Sequence, residues 1–177
     1  RLLLVATFGL AASLPAQATP TAIEYYHAGY GHYFVTADAT EKAALDAGAP
    51  PGWKRTGESF EVLPVGTFGA ANVCRFWSDQ TFAPKSSHFY TSNAAECATR
   101  RGDPAWTYEG ERFALILLDG SGTCGGGAIA LYRLYNEGIG NAPNHRYTTS
   151  QTNRAAMLAQ GWIAEGVGRG VVGCVLP

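Results

Sequence analysis

The pattern of hydrophobic and polar positions divides the chain into an apolar leader and three similar segments. Leu2–Leu14 is an uncharged, mostly apolar run that follows Arg1 and precedes the small-x-small triplet Ala16–Ala18. A basic start, a short apolar run and such a triplet are typical of a secretory signal peptide, and the run is too short to span a bilayer comfortably. We therefore expect residues 1–18 to be a signal peptide and residues 19–177 the mature domain. A buried first helix is the alternative.

Three stretches of the mature chain follow one pattern, at about residues 23–64, 73–118 and 129–177. Each starts with an aromatic alternation, continues with a histidine-x-aromatic pair, and closes with a tryptophan followed four residues later by glycine. The matched positions are Tyr26, Trp77 and Tyr135; His32, His88 and His145; Thr36, Ser92 and Thr149; Trp53, Trp106 and Trp162; and Gly57, Gly110 and Gly166. Self-similarity at this period indicates internal repeats.

Each repeat predicts the same elements. The aromatic alternation and the runs HYFVT, HFYTS and HRYTT are rich in strand-forming residues. A helix follows, with Asp38, Asn93 and Ser150 as N-caps, and with Glu41 and Glu96 placed to complete capping boxes. In the first repeat this cap is shifted by one position. The tryptophan segment predicts one or two closing strands, so each unit is expected to be β-β-α-β(-β) and the fold class α+β.

One unit is too small to bury its own apolar face, so the three are expected to share one core. Three similar units predict a pseudo-threefold single domain, either propeller-like or trefoil-like. The helix in each unit counts against a plain trefoil. Residues 64–72 and 119–128 are Gly-rich linkers, and the loop between the first two strands is short in the first repeat but long in the others.

Charge excludes some partners. Without residues 1–18, the remaining 159 residues carry 12 Lys and Arg against 14 Asp and Glu, and no basic cluster occurs. Nucleic acids and anionic membranes need a basic patch, so we expect neither as a partner, and we expect a monomer.

The cysteine count predicts disulfides. Four cysteines in an exported chain indicate two bridges, for which three pairings are possible. We favour Cys97–Cys124 with Cys74–Cys174, which would tie the second helix to the linker and the chain end to the middle repeat. No C-x-x-C pair is present, which argues against a zinc or thioredoxin-like site.

The motifs RFW, SHFYTS, YRLYN, NHRYTT and GW-x-x-EGVG resemble a bacterial secreted repeat family of unknown function, over about residues 23–177. The first repeat departs from the pattern, because Thr56 stands where the others have Glu109 and Glu165. The resemblance implies export, and a module that often lies C-terminal to exported hydrolases. It implies no particular activity.

No catalytic set stands out. The three matched histidines would form a metal site only if they converged on an axis; we expect each to be a local structural residue, with no metal or cofactor. Glu109 and Glu165 could suggest glycoside hydrolysis, but their periodic placement favours a structural role, in which they accept backbone N–H groups or pair with an arginine such as Arg75 or Arg133. No G-x-S-x-G motif or phosphate loop occurs.

Aromatic residues that recur once per repeat, Trp53 among them, usually form a core, but the loops between strands carry further aromatic and amide groups that favour binding. Rigid aromatic faces beside amides are typical of sugar or peptide recognition. The candidate binding residues are Tyr30, Phe82, Trp77, Tyr135, Asn141, Asn144, His32, His88 and His145. We therefore predict a non-catalytic module, secreted to the periplasm or the medium, that binds a glycan or another cell-surface polymer. The alternatives are a small hydrolase with a site between repeats and a structural or protein-interaction accessory.

Overall fold

The computed structural model of the chain describes residues 18–141 and 143–177, so the predicted signal peptide lies almost wholly outside the described residues. The elements follow one another as strand, strand, helix, strand in each of three segments, with a further strand at the end. They are β1 Thr21–His27, β2 His32–Thr36, α1 Ala39–Asp46, β3 Trp53–Glu61, β4 Ala70–Trp77, β5 His88–Thr91, α2 Ala94–Arg101, β6 Thr107–Ile116, β7 Ile129–Tyr135, β8 His145–Thr148, α3 Gln151–Ala159, β9 Ile163–Glu165 and β10 Val171–Val175. Short 3₁₀ turns occupy Asp79–Phe82 and Ile139–Asn141.

The strands form two open sheets in a mixed, mostly β architecture that fits the expected α+β class. A three-stranded sheet has the order β2-β1-β3, and a seven-stranded sheet has the order β5-β4-β6-β10-β7-β8, with β9 also paired to β7. The pairings within both sheets are antiparallel. Among the described residues, no helix is long and apolar enough to cross a membrane.

The helices begin where the sequence predicts. The side chains of Asp38, Asn93 and Ser150 each accept a hydrogen bond from a backbone N–H in the first helical turn, which satisfies donors that a helix start leaves unpaired. The expected capping boxes are only half formed. Glu41 and Glu96 direct their carboxylates to arginines of the following segment, and these contacts join the segments.

The glycine four residues after each tryptophan has a positive φ, of 95° at Gly57, 100° at Gly110 and 136° at Gly166. In β6 this glycine follows a register shift, because Tyr108 lies opposite Phe76 and Gly110 lies opposite Arg75. Glu109 is thus the extra residue of a β-bulge, a device that re-aims a side chain. The bulge points the Glu109 carboxylate at Arg75.

The edge strands β2, β5 and β8 meet in the interior. The Tyr147 hydroxyl donates to the Tyr90 carbonyl over 2.8 Å and accepts from the Tyr90 N–H over 2.9 Å. The Tyr90 hydroxyl in turn donates to the carbonyl of Val35 over 2.5 Å. These residues belong to the largest cluster of buried apolar side chains, which draws on all three segments. The segments therefore share one core.

Strand pairing corrects the expected equivalence of the three histidines. The residues opposite one another in the hairpins are Tyr26 and Tyr33, Trp77 and His88, and Tyr135 and His145. Tyr33, not His32, therefore stands where the other segments have histidine. His32 lies one residue earlier, opposite His27, and because strand side chains alternate it faces the other side of the sheet. The alignment of His32 was wrong by one residue.

The favoured disulfide pairing was also wrong. The bridges join Cys74 to Cys97 and Cys124 to Cys174. The first lies within the second segment, between β4 and α2, and the second ties the Gly-rich linker to β10. The bridges follow spatial neighbours within the fold, which the spacing of four cysteines does not determine. Two disulfides are compatible with a secreted protein.

Candidate functional site

The candidate site is a cleft between the first and second segments, with an ion-pair cluster around Arg75 as its floor. The Arg75 guanidinium donates to both Glu41 oxygens, over 2.6 and 2.8 Å, and through Nε to Glu109 Oε2 over 2.7 Å. His88 Nε2 lies 3.2 Å from the same Glu109 oxygen. The Arg75 side chain is 3% exposed, against 30% for Glu41 and 24% for Glu109. The carboxylates therefore form the open side of the cluster.

Aromatic rings form the walls of this cleft. Phe34 packs edge-on to Trp53, with ring centroids 5.9 Å apart, and its centroid lies 4.6 Å from that of His88. The ring centroid of Trp77 lies 4.6 Å from that of His88, so the ring contacts run in series from Trp53 to Trp77. The cleft encloses about 300 Å³, and Leu45 and Pro50 add to its lining. We call this site the aromatic cleft, defined by Phe34, Trp53, Trp77 and His88 over Glu41, Arg75 and Glu109.

The electrostatics of the floor keep both carboxylates ionised. Burial alone would raise the pKa of Glu41, but hydrogen bonds from Arg75 and Thr36 outweigh it and lower that pKa to about 2. Burial alone would also raise the pKa of Glu109, but the hydrogen bond from His88 outweighs it, and the pKa of Glu109 is lowered. Burial also lowers the pKa of His88, in spite of the neighbouring Glu109. At neutral pH the floor therefore holds two carboxylates, one guanidinium and a neutral imidazole.

A matching ion-pair cluster joins the second and third segments. Arg133 donates to both oxygens of Glu96, over 2.8 and 3.0 Å, and its Nε lies 3.2 Å from Glu165 Oε2. His145 Nε2 lies 3.0 Å from that same Glu165 oxygen. The expected pairing of Glu109 and Glu165 with Arg75 and Arg133 is thereby confirmed. We call this region the second junction.

The third and first segments are joined with the charges exchanged. Glu24, which is fully buried, accepts hydrogen bonds from Nε and a terminal nitrogen of Arg146, each over 2.9 Å. The Thr56 hydroxyl donates to the same carboxylate over 2.8 Å. A glutamate at position 56 would face Glu24 directly, so the exchange explains why the first segment has threonine where the other two have glutamate before the glycine. Trp162 is buried here and packs edge-on to Tyr33 at 6.0 Å.

Acid titration is expected to weaken all the glutamate–arginine contacts around Arg75 and Arg133. The pKa values of Glu41, Glu96, Glu109 and Glu165 are lowered in the fold, whereas an unfolded glutamate titrates at about 4.3. Between pH about 4.5 and 2 the unfolded chain therefore binds more protons than the folded one, and stability falls as pH falls. Urea midpoints measured at pH 6, 4 and 3 should decrease in that order.

The Glu41→Gln variant should show a shallower decrease over that range, because one of the titrating groups has gone. Glu137→Gln, on an exposed loop, serves as the matched control and should follow the wild-type slope. An identical slope in Glu41→Gln and the wild type would contradict the assignment of the acid response to this cluster.

The predicted binding residues separate into two groups. Trp77 and His88 line the aromatic cleft, and Tyr135 and His145 belong to the second junction, where their rings stack with centroids 4.7 Å apart. Phe82 joins Tyr135 in the lining of an open surface depression of about 490 Å³. The cleft thus includes two of the nine predicted residues, and the second junction includes two more.

Three of the remaining predicted residues, His32, Tyr30 and Asn144, serve the framework. His32 is buried, with Nδ1 3.2 Å from the Ser86 carbonyl, and Tyr30 stacks on the His27 ring at 3.8 Å. Asn144 is fully buried and clamps Tyr33, accepting from its N–H over 2.8 Å and donating to its carbonyl over 3.2 Å. Asn141 lies in the turn Ile139–Asn141. In the described ranges, no group of three or more His, Cys, Asp and Glu is placed to hold a metal ion.

Sequence reasoning missed Phe34, Trp53 and Glu41 as members of the cleft. Trp53 was assigned to the core because a tryptophan recurs once per segment, and Glu41 was recognised only as a cap residue. The available signal was charge: a capping glutamate in one segment and an arginine at the start of the next recur together as Glu41 with Arg75 and Glu96 with Arg133.

The architecture and the cleft define a mixed, mostly β protein with an aromatic cleft between two of its segments. The chain belongs to the DUF5648 family, a domain of unknown function, whose model matches residues 21–172. This confirms the expected membership of an uncharacterised family. Comparison with curated proteins and with solved structures found no match.

Proposed function

We propose that this protein is a non-catalytic module that binds a glycan, or another cell-surface polymer, in the aromatic cleft. The observation that carries the proposal is the cleft itself, where half-buried Trp53 and Trp77 stand above two partly exposed carboxylates. Its volume of about 300 Å³ lies at the lower end of ligand pockets.

A sugar ring fits the chemistry of this lining. A pyranose presents apolar C–H faces that pack on aromatic rings, and a rim of hydroxyl groups that donate to acceptors. The walls supply the rings, while the exposed edges of Glu41 and Glu109 supply charged acceptors, which make the stronger class of hydrogen bond. Arg75 beneath them holds the carboxylates in place, so the acceptors are ordered before a ligand arrives.

The protonation of the floor favours binding over hydrolysis. A glycosidase needs one carboxyl group with a raised pKa as general acid. In the aromatic cleft the pKa values of Glu41 and Glu109 are both lowered, and so is that of His88. At neutral pH both carboxyl groups are therefore ionised and the imidazole is uncharged, so none of the three is in the protonated form that a general acid needs. A hydrolase that uses this cluster of two carboxylates and a histidine is the second candidate.

We infer further that the protein is exported as a monomer and that its three segments are copies of one repeat around a common centre. The apolar run Leu2–Leu14, the two disulfides and the recurrence of the Arg75 cluster at Arg133 support this. Neither a nucleic acid nor a membrane surface is part of the proposed function, because the chain has no basic cluster.

The test is retention on insoluble chitin, cellulose and bacterial peptidoglycan, with each bound fraction measured against protein concentration. Trp53→Ala and Trp77→Ala each remove one tryptophan from the lining of the cleft, and each should weaken binding about tenfold or more, as for a central aromatic contact. Phe68→Ala is the matched control, since this fully exposed aromatic lies outside the cleft. It should bind as the wild type does.

Clean silence of the wild type on all three polymers would count against the proposal, as would unchanged binding by both tryptophan variants. Release of soluble sugar from any of the polymers, abolished in Glu109→Gln, would favour the hydrolase instead. Unfolding temperatures of the variants should be compared, so that a folding defect is not read as lost binding.

A further inference from the structure

The second junction repeats the ring geometry of the aromatic cleft. Phe89 takes the place of Phe34, with its centroid 5.9 Å from Trp106 and 5.0 Å from His145. The corresponding separations in the cleft are 5.9 Å and 4.6 Å. Tyr135 stands where the cleft has Trp77, and its ring stacks on His145. Together with the matching ion pairs of Arg133, the second junction therefore has acceptors and rings equivalent to those of the cleft.

The buried arginines also lie alike. The Arg75 guanidinium carbon is 5.6 Å from the Phe34 centroid, and that of Arg133 is 4.9 Å from the Phe89 centroid. Arg133 is buried and its glutamates are partly exposed, as at Arg75. The charge arrangement that makes the first floor an acceptor surface is therefore present a second time.

Arg100 distinguishes the two places. Its guanidinium carbon lies 5.4 Å from the ring centroids of both Phe89 and Trp106 and so covers the rings of the second junction. The corresponding helix position in the first segment, seven residues after the N-cap, is Leu45, which lines the open cleft. Arg100 thus lies over the rings on which a ligand would stack, where the open cleft has the shorter, uncharged Leu45.

Arg100 is held by contacts that a ligand can replace. Its side chain is 37% exposed, and it forms a surface ion pair with Asp103 over 2.9 Å. Exposed ion pairs and exposed cation–π contacts are both weak. A sugar ring stacked on Trp106 would substitute for the cation–π contact, while the freed guanidinium would be solvated by water.

We propose that the second junction is a second binding subsite for the same class of polymer, closed by Arg100 until the ligand displaces it. This inference rests on the proposed function of the aromatic cleft. When a site must first open, its apparent affinity equals the affinity of the open form multiplied by the fraction of molecules in which the site is open. A repetitive polymer that spans both sites gains avidity from the second one without further contacts.

The test is calorimetric titration of the full chain with chitohexaose and with cellohexaose. Arg100→Leu gives the second junction the residue found at the open cleft, and should raise the affinity of the second subsite about tenfold or more, so that two equivalents bind where one dominates in the wild type. Trp53→Ala with Arg100→Leu should retain one equivalent, bound at the second junction. Arg101→Leu is the matched control on the same helix, where the arginine covers Tyr108 at 4.0 Å, and should behave as the wild type.

One equivalent in Arg100→Leu, lost when Trp53→Ala is added, would overturn the second subsite and leave the proposed function intact. Binding by Arg100→Leu that survives Trp53→Ala would support the second subsite, even if the wild type were silent and the first cleft had therefore to be abandoned. Silence of every variant towards both hexasaccharides would overturn the two proposals together.

Discussion

Arg146→Met is expected to lower the free energy of unfolding by about 3–5 kcal/mol, the usual cost of removing one partner of a buried ion pair. The reason is the carboxylate left behind. Glu24 is fully buried, and Arg146 supplies two of its hydrogen bonds. The remaining donor, the Thr56 hydroxyl, does not neutralise the charge. Urea unfolding at pH 7, followed by tryptophan fluorescence, measures the change.

The double variant Glu24→Gln/Arg146→Met separates the missing contact from the stranded charge. Because both charges are gone, it should be more stable than Arg146→Met alone. Arg169→Ala, at an exposed position, should be close to the wild type. A double variant as unstable as the single one would show that the contact of the Arg146 guanidinium with Tyr33, whose ring centroid lies 4.2 Å from the guanidinium carbon, matters more than the charge left on Glu24.

Removal of the Cys124–Cys174 disulfide by the pair Cys124→Ala/Cys174→Ala is expected to cost about 4 kcal/mol, and removal of Cys74–Cys97 about 3 kcal/mol, in the chain-entropy account. The difference follows from loop size, since the bridges span 50 and 23 residues. Urea midpoints of the two paired variants, in the absence of reductant, give the comparison.

The two paired variants serve as matched controls for each other, because each loses one bridge and two sulfur atoms. The reverse order of destabilisation would mean that native contacts dominate over chain entropy. In that case the larger loss would come from disrupted packing in the buried cluster around the first bridge, which consists of Cys74, Cys97, Phe76 and Phe89.

Local features of the fold could be predicted from the sequence because each depends on a short stretch of chain. The caps at Asp38, Asn93 and Ser150 are decided by one side chain and the next backbone turn. The tryptophan–glycine pairs marked a conformation with positive φ, which glycine adopts without strain. The pairing of Glu109 with Arg75 was likewise within reach, since both lie in one segment.

The register of the first hairpin was not predicted correctly, because the segments were aligned by residue type and the length of the turn was not considered. His32 resembles His88 in sequence, yet the short turn after β1 places Tyr33 opposite Tyr26. The shifted N-cap at Asp38 carried the same one-residue offset and would have revealed it. Register depends on turn length, and a slip of one residue exchanges the two faces of a strand.

The aromatic cleft could not be assembled from the sequence because its walls come from different segments. Trp53 and Trp77 belong to successive units, and only tertiary packing brings them to one opening. The disulfides also depend on tertiary placement, since they join β4 to α2 and the Gly-rich linker to β10. The types and spacing of residues identify candidates for a site, but the tertiary packing of the segments decides which of those residues lie close together.

The inward orientation of the strands at the sheet borders bears on how copies of the protein behave at high concentration. An unpaired β-strand border is a template on which a second chain can add and fibres can grow. Here the phenol groups of Tyr90 and Tyr147 donate hydrogen bonds to backbone carbonyls of β2 and β5. The other border of the three-stranded sheet, β3, carries the charged residues Lys54, Arg55 and Glu58. Charge at that border opposes the addition of a second chain, so the molecule is built to stay dispersed at high concentration.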